Sequence, residues 1–355
     1  MNEKRRALCA HLAGLPLLSL AGAGALPWRS AQAAPGYPDK PVSVVVPFAP
    51  GGNTDIVARM IGTGLAKRLD ANIVVENKAG AGGNIGAATV ARAKPDGYTV
   101  LYSTASTYAI NPHIYANLPF DPVKAFEPLA VTIQVPVVLV VSASSGIKSL
   151  KELMAHVKAN PDKASYGSNG NGTSSHIACH VLAQKMGVPN LLHVPYKQGP
   201  QVLTDLTGGQ LTFAFDAWSV LGPQVKAGRL VALAVSGTER LKAAPEIPTV
   251  AEVLETDYDI VTWNAFCLPS GVPPEIVAKL REAVQGTMED PAIRSRLENE
   301  GVPPYAPMSQ AELDAFFKRE YEKWGALVKL VGATGIARWP PVTPTRAPRS
   351  PTCRT

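Results

Sequence analysis

The stretches VVVPFAPGGNTD at residues 44–55 and SYGSNGNGTSSH at residues 165–176 decide the fold of this chain. Each begins with a short run typical of a buried strand, passes through a glycine-rich loop and enters a segment with helical spacing. Such a loop directs free backbone N–H groups and the positive end of a helix dipole at one point, which favours a small anion. Because neither stretch carries the lysine of a phosphate-binding P-loop, both predict a site that holds an anion such as a carboxylate.

The remaining pattern predicts two α/β units followed by a helical last third. Apolar runs alternate with amphipathic stretches, and the order βαβαβ in residues 42–103 implies parallel strands joined by right-handed crossovers. The first unit has strands at 42–46, 72–76 and 99–103 and helices at 54–69 and 84–92. After a proline-containing interruption at 109–128, the second has strands at 137–141, 164–167, 192–194, 211–215 and 230–235 and helices at 150–160, 173–186, 200–207 and 219–227. A strand at 260–268 then precedes helices that begin near 273, 291 and 309.

The charge of the chain argues against a nucleic-acid partner. With 355 residues, 46% apolar and 17% charged, the chain is long enough for two globular domains. The formal net charge of +6 is concentrated at the ends, with +3 in residues 1–33 and +4 in residues 336–355, which leaves −1 between them. A nucleic-acid-binding domain needs a basic face on the domain itself. The terminal segment, rich in Pro, Arg, Ser and Thr, is expected to be a disordered basic tail.

Residues 1–34 have the layout of a secretory signal peptide. The basic triplet KRR at 4–6 is followed by an apolar stretch at 7–26 and by the small-residue pattern AQAA. We expect cleavage near Ala33 or Ala34 and a periplasmic protein. A membrane anchor is the alternative, because the apolar stretch approaches spanning length. The pattern leaves the choice between the general and the twin-arginine export route open.

No metal site, cofactor or catalytic group is predicted. Once the signal is removed, Cys179, Cys267 and Cys353 remain, and their spacing fits neither a zinc site nor a disulfide framework. Cys179 and Cys267 fall in predicted apolar elements, where cysteine packs as a small apolar residue. The histidines and carboxylates are scattered along the chain, without the close spacing of metal ligands.

Several motifs, in the same order, resemble the Bug family, the extracytoplasmic solute receptors of tripartite tricarboxylate transporters. The resemblance runs from about residue 37 to residue 335. The motifs are YPDKP at 37–41, VPFAPGG at 46–52, ENKAGAGG at 76–83, PDGYT at 95–99, YGS at 166–168, GT at 172–173 with His176, HVPYK at 193–197, and DL at 205–206 with GG at 208–209. One departure is Gln198, where the family pattern usually has glycine.

The resemblance implies a two-domain periplasmic-binding-protein clamshell of the Venus flytrap, type II-like kind. Domain 1 would combine residues 35–138 with 265–335, and domain 2 would take residues 139–264. Members of the family bind small mono- or dicarboxylates in the cleft and deliver them to inner-membrane permease subunits. Others act with a sensor kinase, which remains an alternative. We expect a monomer.

The candidate ligand-binding residues lie on the predicted loops. A hydrogen bond to a charged group contributes about 1.5 to 3 kcal/mol, and micromolar binding corresponds to about −8 kcal/mol, so a few uncharged donors suffice without arginine. The candidates are Phe48, Ala49, Gly51, Gly52, Ser103, Thr104, Thr107, Ser168, Asn171, Thr173, Tyr196, Gln198 and Asp216.

Other interpretations of the same residues stay open at this point. The glycine-rich loops also fit ordinary strand-to-helix turns, and Asp216 fits a capping role as well as a role in accepting a ligand hydroxyl or amine. An exported hydrolase would have to use Ser168, Ser174 or Ser175 with His176 or His180. The chain has no G-x-S-x-G nucleophile elbow, and the sequence names no third group to orient a base.

Overall fold

The computed structural model describes residues 36–197, 199–330 and 332. Within them the chain forms nine strands and twelve α-helices. The strands are β1 (Val42–Val46), β2 (Ile73–Asn77), β3 (Thr99–Thr104), β4 (Phe126–Ser142), β5 (Ser165–Ser168), β6 (Leu192–Pro195), β7 (Phe213–Ala217), β8 (Leu230–Val235) and β9 (Val261–Pro269). The helices are α1 (Asn53–Leu69), α2 (Asn84–Ala91), α3 (Asn111–Ile114), α4 (Pro122–Ala125), α5 (Leu150–Ala159), α6 (Ser174–Lys185), α7 (Gly199–Thr207), α8 (Trp218–Lys226), α9 (Val250–Leu254), α10 (Pro274–Glu289), α11 (Pro291–Asn299) and α12 (Gln310–Leu330).

The strands form one continuous arrangement in the order β2-β1-β3-β9-β4-β7-β5-β6, with β8 also paired to β4. Strand β1 runs parallel to β2 and β3, and β5 runs parallel to β6 and β7, as the alternating pattern predicted. Strand β9 is antiparallel to both β3 and β4. The result is a mixed α/β clamshell with two groups of strands. The first group is β1, β2, β3 and β9, the second is β5, β6, β7 and β8, and β4 belongs to both.

The long strand β4 joins the two groups because its partners change along its length. Its first part pairs with β9 as far as Pro136, opposite Val261, and its second part pairs with β7 and β8 from Val137 onward. Proline has no N–H to donate, so Pro136 sits where one ladder ends and another begins. The prediction of a strand at 137–141 was therefore too short, since the prolines and two register shifts hide the period of two in its first half.

The valines on both faces of β1 are buried. In β1, Val45 joins one apolar cluster, whereas Val44 and Val46 join another on the opposite face. The second cluster includes Ile61 of α1 and Leu280 of α10. Alternate residues of a strand point to opposite faces, so a run of buried valines indicates a strand covered by helices on both sides.

Several predictions concern residues that the structure does not describe. The signal peptide, the basic tail and Gln198 lie outside the described residues, and the proposed domain boundaries stay a prediction. Among the helices that are described, none has both the length and the apolar character required to cross a bilayer.

Candidate functional site

A cavity of about 80 Å³ lies where the carboxyl ends of β1, β3, β5 and β7 meet the central strands β4 and β9. A buried water needs about 10–15 Å³, so the cavity has room for several waters or a small organic molecule. Ligands of open α/β sheets bind at the carboxyl ends of strands. The lining residues are Phe48, Ala49, Gly52, Asn53, Thr54, Thr104, Ser106, Val135, Val137, Asn169, Thr173, Ser174, Ser175, Lys197, Gly199, Pro200, Asp216, Ala217, Val220, Thr262 and Asn264.

Four helices begin at this cavity. The first residues of α1, α6 and α7 (Asn53, Ser174 and Gly199) line it, and so does Ala217, the residue before α8. The first N–H groups of a helix have no partner within the helix, and the helix dipole adds a partial positive charge at the same end. Four such ends around one cavity favour an anionic occupant.

Residues 48–54 form what we call the first lip. Its turn is held by Asp55, whose carboxylate accepts hydrogen bonds from Gly51 N at 3.0 Å, Arg59 Nε at 2.9 Å and Asn77 Nδ2 at 3.0 Å. Burial raises the pKa of the Asp55 carboxyl, but the bonds from Arg59, Gly51 and Asn77 outweigh it and hold the pKa below its usual range. Asp55 therefore stabilises the turn of the first lip, and Arg59 balances its charge. Asp55 does not line the cavity.

Residues 169–175 form the second lip. The hydroxyl of Thr173 donates to Gly170 O at 2.8 Å, and Ser175 Oγ accepts from Asn169 N at 3.1 Å. Thr173 is also the N-cap of α6, because its side chain accepts from His176 N. These contacts fix the loop from within and present uncharged amides and hydroxyls to the cavity.

A stack of aromatic rings supports the second lip from behind. The rings of His176 and His193 lie 4.1 Å apart at 10°, and Tyr166 stacks on His193 at 4.9 Å. His193 Nε2 lies 2.7 Å from Ser168 Oγ, the residue that precedes the lip. Burial lowers the pKa of His176 to about 3 and that of His193 to about 4, with the other histidines adding to the effect. Both imidazoles are therefore neutral near pH 7.

Six of the predicted ligand-binding residues line the cavity: Phe48, Ala49, Gly52, Thr104, Thr173 and Asp216. Six others do not, and most of these have protein partners. Ser103 and Thr107 bond each other, Gly51 bonds Asp55, and Ser168 bonds His193 and Gly170. Tyr196 donates to Asp205, while Asn171 lies beside Gly82. Gln198 lies outside the described residues. That these residues bind a ligand remains a prediction.

Sequence reasoning missed the contribution of β9. Thr262 and Asn264 line the cavity, and Asn264 Nδ2 is buried without a hydrogen-bond partner among the described residues. A buried amide without a partner is costly, so a ligand or a water that accepts from it would be stabilised there. The signal was present in the sequence as two polar residues within the apolar run 260–268.

Two charged side chains line the cavity, Lys197 and Asp216. Lys197 is exposed, whereas Asp216 is only 9% exposed. Burial raises the pKa of Asp216, opposed by hydrogen bonds from Ala217 N at 2.8 Å and from Asn169 Nδ2 at 3.3 Å. The cavity therefore combines an exposed cation with a buried carboxyl group.

The hydrogen-bonded pair of Ser168 and His193 is not placed for hydrolysis. Ser168 pairs with His193, but Ser168 is 1% exposed and neither residue lines the cavity. A nucleophile has to reach its substrate, so this pair serves to hold the loop. Within the described part of the chain, no group of three or more His, Cys, Asp or Glu residues is placed to hold a metal ion.

The fold and the cavity at the carboxyl ends of its strands define the class: this is a periplasmic solute-binding clamshell. A family model described as the tripartite tricarboxylate transporter family receptor matches residues 57–333, and the chain belongs to that family. The resemblance to the Bug receptors is thereby confirmed. The family is one of solute-binding receptors and not of enzymes.

Three solved structures illustrate the similarity. The periplasmic binding protein BugD is 34% identical, with 85% of this chain and 100% of that chain covered and a TM-score of 0.80. A structure of Rpa4515 from R. palustris with adipate is 30% identical over 83% of this chain and 98% of the other, with a TM-score of 0.80. MatC from Rhodopseudomonas palustris with bound malate is 31% identical over 82% and 100%, with a TM-score of 0.77.

Proposed function

We propose that this protein captures a small mono- or dicarboxylate in the cavity between its two lips and delivers it to a membrane permease. The observation that carries the proposal is the convergence of four helix N-termini on one small cavity lined by uncharged donors. The malate and adipate bound by MatC and Rpa4515 support the chemical class of the ligand.

The residues proposed to contact the carboxylate are those that line the cavity and can donate. The backbone N–H groups of Ala49 and Gly52 on the first lip would face Ser174 on the second. Asn264 would contribute its amide from the floor. Since charge-assisted bonds contribute about 1.5 to 3 kcal/mol each, three or four of them account for micromolar affinity.

A thermal-shift screen tests the proposal. The protein is unfolded, dialysed and refolded to remove any ligand carried through purification, and is then heated with mono-, di- and tricarboxylates, aromatic acids, amino acids, phosphate and sulfate. A ligand at about 100 times its Kd stabilises the folded state by about 2.7 kcal/mol, which gives a readable rise in Tm. A shift with a carboxylate is expected. No shift with any carboxylate would overturn the proposal.

Delivery to a permease and export to the periplasm are proposed on the basis of the family. An uptake assay in cells that carry the receptor gene and its permease genes, with labelled ligand, tests delivery. Loss of uptake on deletion of the receptor is expected, and unchanged uptake would contradict it. N-terminal sequencing of the mature protein tests cleavage near Ala33 or Ala34.

A further inference from the structure

The carboxyl group of Asp216 is buried in the cavity wall and has few hydrogen-bond partners. It is 9% exposed, and its two hydrogen bonds come from neutral donors, Ala217 N and Asn169 Nδ2. In the described part of the chain, no lysine, arginine or histidine nitrogen lies within 4.0 Å of it. A buried carboxylate usually has a cation or several donors, so this one is incompletely satisfied.

Asp55 differs from Asp216 in its partners. Asp55, in α1, has an arginine, an asparagine and a backbone N–H as partners and lies outside the cavity. Asp216 lines the cavity and has no such arginine. An ionised carboxylate offers about four acceptor positions, of which two are occupied here.

We propose that Asp216 accepts a hydrogen bond from the ligand and so selects carboxylates that carry a hydroxyl or ammonium group over unsubstituted ones. This inference rests on the proposed function. The helix N-termini and Lys197 hold the carboxylate of the ligand, and Asp216 takes the donor group a few atoms away. In a cavity of about 80 Å³ the helix N-termini and Asp216 are close together, which suits a short hydroxy acid or amino acid.

The geometry also says why an unsubstituted acid should bind less well. With such a ligand, Asp216 receives no new hydrogen bond and stays buried with only its two neutral donors. A site built to bond a polar group rejects an analogue that lacks it, because the buried group of the protein is left unpaired. Burial raises the pKa of Asp216, as expected for a carboxyl group that lacks such a partner.

Three four-carbon acids with the same skeleton provide the test: succinate, L-malate with a hydroxyl, and L-aspartate with an ammonium group. Calorimetric titration of the refolded protein should give a Kd for malate or aspartate at least about tenfold lower than for succinate. Comparison of malate with aspartate tells which donor the site prefers. The matching five-carbon set, glutarate, 2-hydroxyglutarate and glutamate, covers a longer ligand.

The Asp216→Asn variant should abolish this preference, with donor-bearing acids weakened and unsubstituted acids unchanged or tighter. It keeps the shape of the side chain, and the melting temperature of the unliganded variant checks that it folds. Asp162→Asn, which removes an exposed acid that does not line the cavity, is the matched charge control and should keep the wild-type ratio.

An unchanged ratio in Asp216→Asn, or equal wild-type Kd values within both sets, would overturn the inference while leaving the proposed function intact. A wild-type protein that binds no carboxylate at all would instead contradict the proposed function and this inference with it.

Discussion

The two lips of the cavity hold an anion by different means. The first lip presents backbone from Phe48 to Gly52, and its nearby acid is neutralised by Arg59. The second lip presents amides and hydroxyls braced by neutral histidines, and the partly satisfied Asp216 lies beside it. The difference suggests a division of work, in which the first lip attracts any small anion and the second lip distinguishes one carboxylate from another.

The largest effect is expected from a negative charge placed on either lip. Asn53→Asp on the first lip keeps an oxygen that can accept from Ser219, and Ser174→Asp on the second is compatible with the first turn of a helix. At about 5 Å and an effective dielectric of about 20, two like charges repel by about 3 kcal/mol, or about 100-fold in Kd. Calorimetric titration with the best carboxylate of the screen measures the loss.

The neutral variant Ser174→Asn is the control for size and should retain most of the affinity. A similar loss in Asn53→Asp and Ser174→Asp would show that the anion is held between both lips. If one of the two charged variants bound normally, the comparison between the lips would have to be abandoned, because the ligand would then contact only one of them.

A smaller effect is expected from the histidine that braces the second lip. The pKa of His176 is about 3 in the folded chain and about 6.5 when unfolded. Below about pH 6.5 the unfolded state therefore binds a proton that the folded state does not, and stability falls with falling pH by up to about 1.4 kcal/mol per pH unit. His176→Asn removes this titration and keeps an acceptor for Gly172 N, so its stability should fall less steeply.

Urea denaturation at pH 7, 6 and 5 measures these slopes. His156→Asn, at an exposed position of α5, serves as the matched control and should keep the wild-type slope. Identical slopes for His176→Asn and the wild type would mean that His176 is not buried in the neutral form. That result would contradict its role in supporting the second lip.

The smallest effect is expected where α8 meets α1. Ser219 Oγ donates to Asn53 Oδ1 at 2.8 Å, which joins the start of α8 to the start of α1. Because Asn53 lines the cavity and a neutral hydrogen bond contributes about 1 kcal/mol, Ser219→Ala should weaken carboxylate binding about fivefold. The melting temperature of the unliganded variant checks that it folds. An unaltered Kd would show that this contact does not contribute to ligand binding.

Much of the fold could be predicted because its elements repeat simple periods. The strand at 42–46 and the helix at 54–69 have strong apolar patterns, and the structure places them within one residue of the prediction. The first half of β4 was missed because Pro128 and Pro136 interrupt its alternation and its register shifts twice. A strand that owes its place to pairing with β9, 130 residues later, carries little local signal.

The sequence predicted which loops form the site, but only some of the residues that line it. The loops after β1 and β5 and the carboxyl ends of β3 and β7 all reach the cavity. The sequence gives no sign that Ser168 turns to His193 or that Gly51 N–H is taken by Asp55. Such choices depend on atoms that meet only in three dimensions. Asn264 was visible in the sequence as a polar residue within an apolar strand. It was overlooked because nothing in the sequence indicates what its side chain would bind.

The central claim is that a small carboxylate binds between the two lips, and calorimetric titration of the refolded protein with L-malate, with and without excess sulfate, tests it most directly. The account predicts saturable binding of one malate per chain, weakened only modestly by sulfate, because sulfate competes for the helix N-termini but has no donor for Asp216 at neutral pH. Absence of saturable heat for malate and for every other carboxylate of the screen would contradict the account.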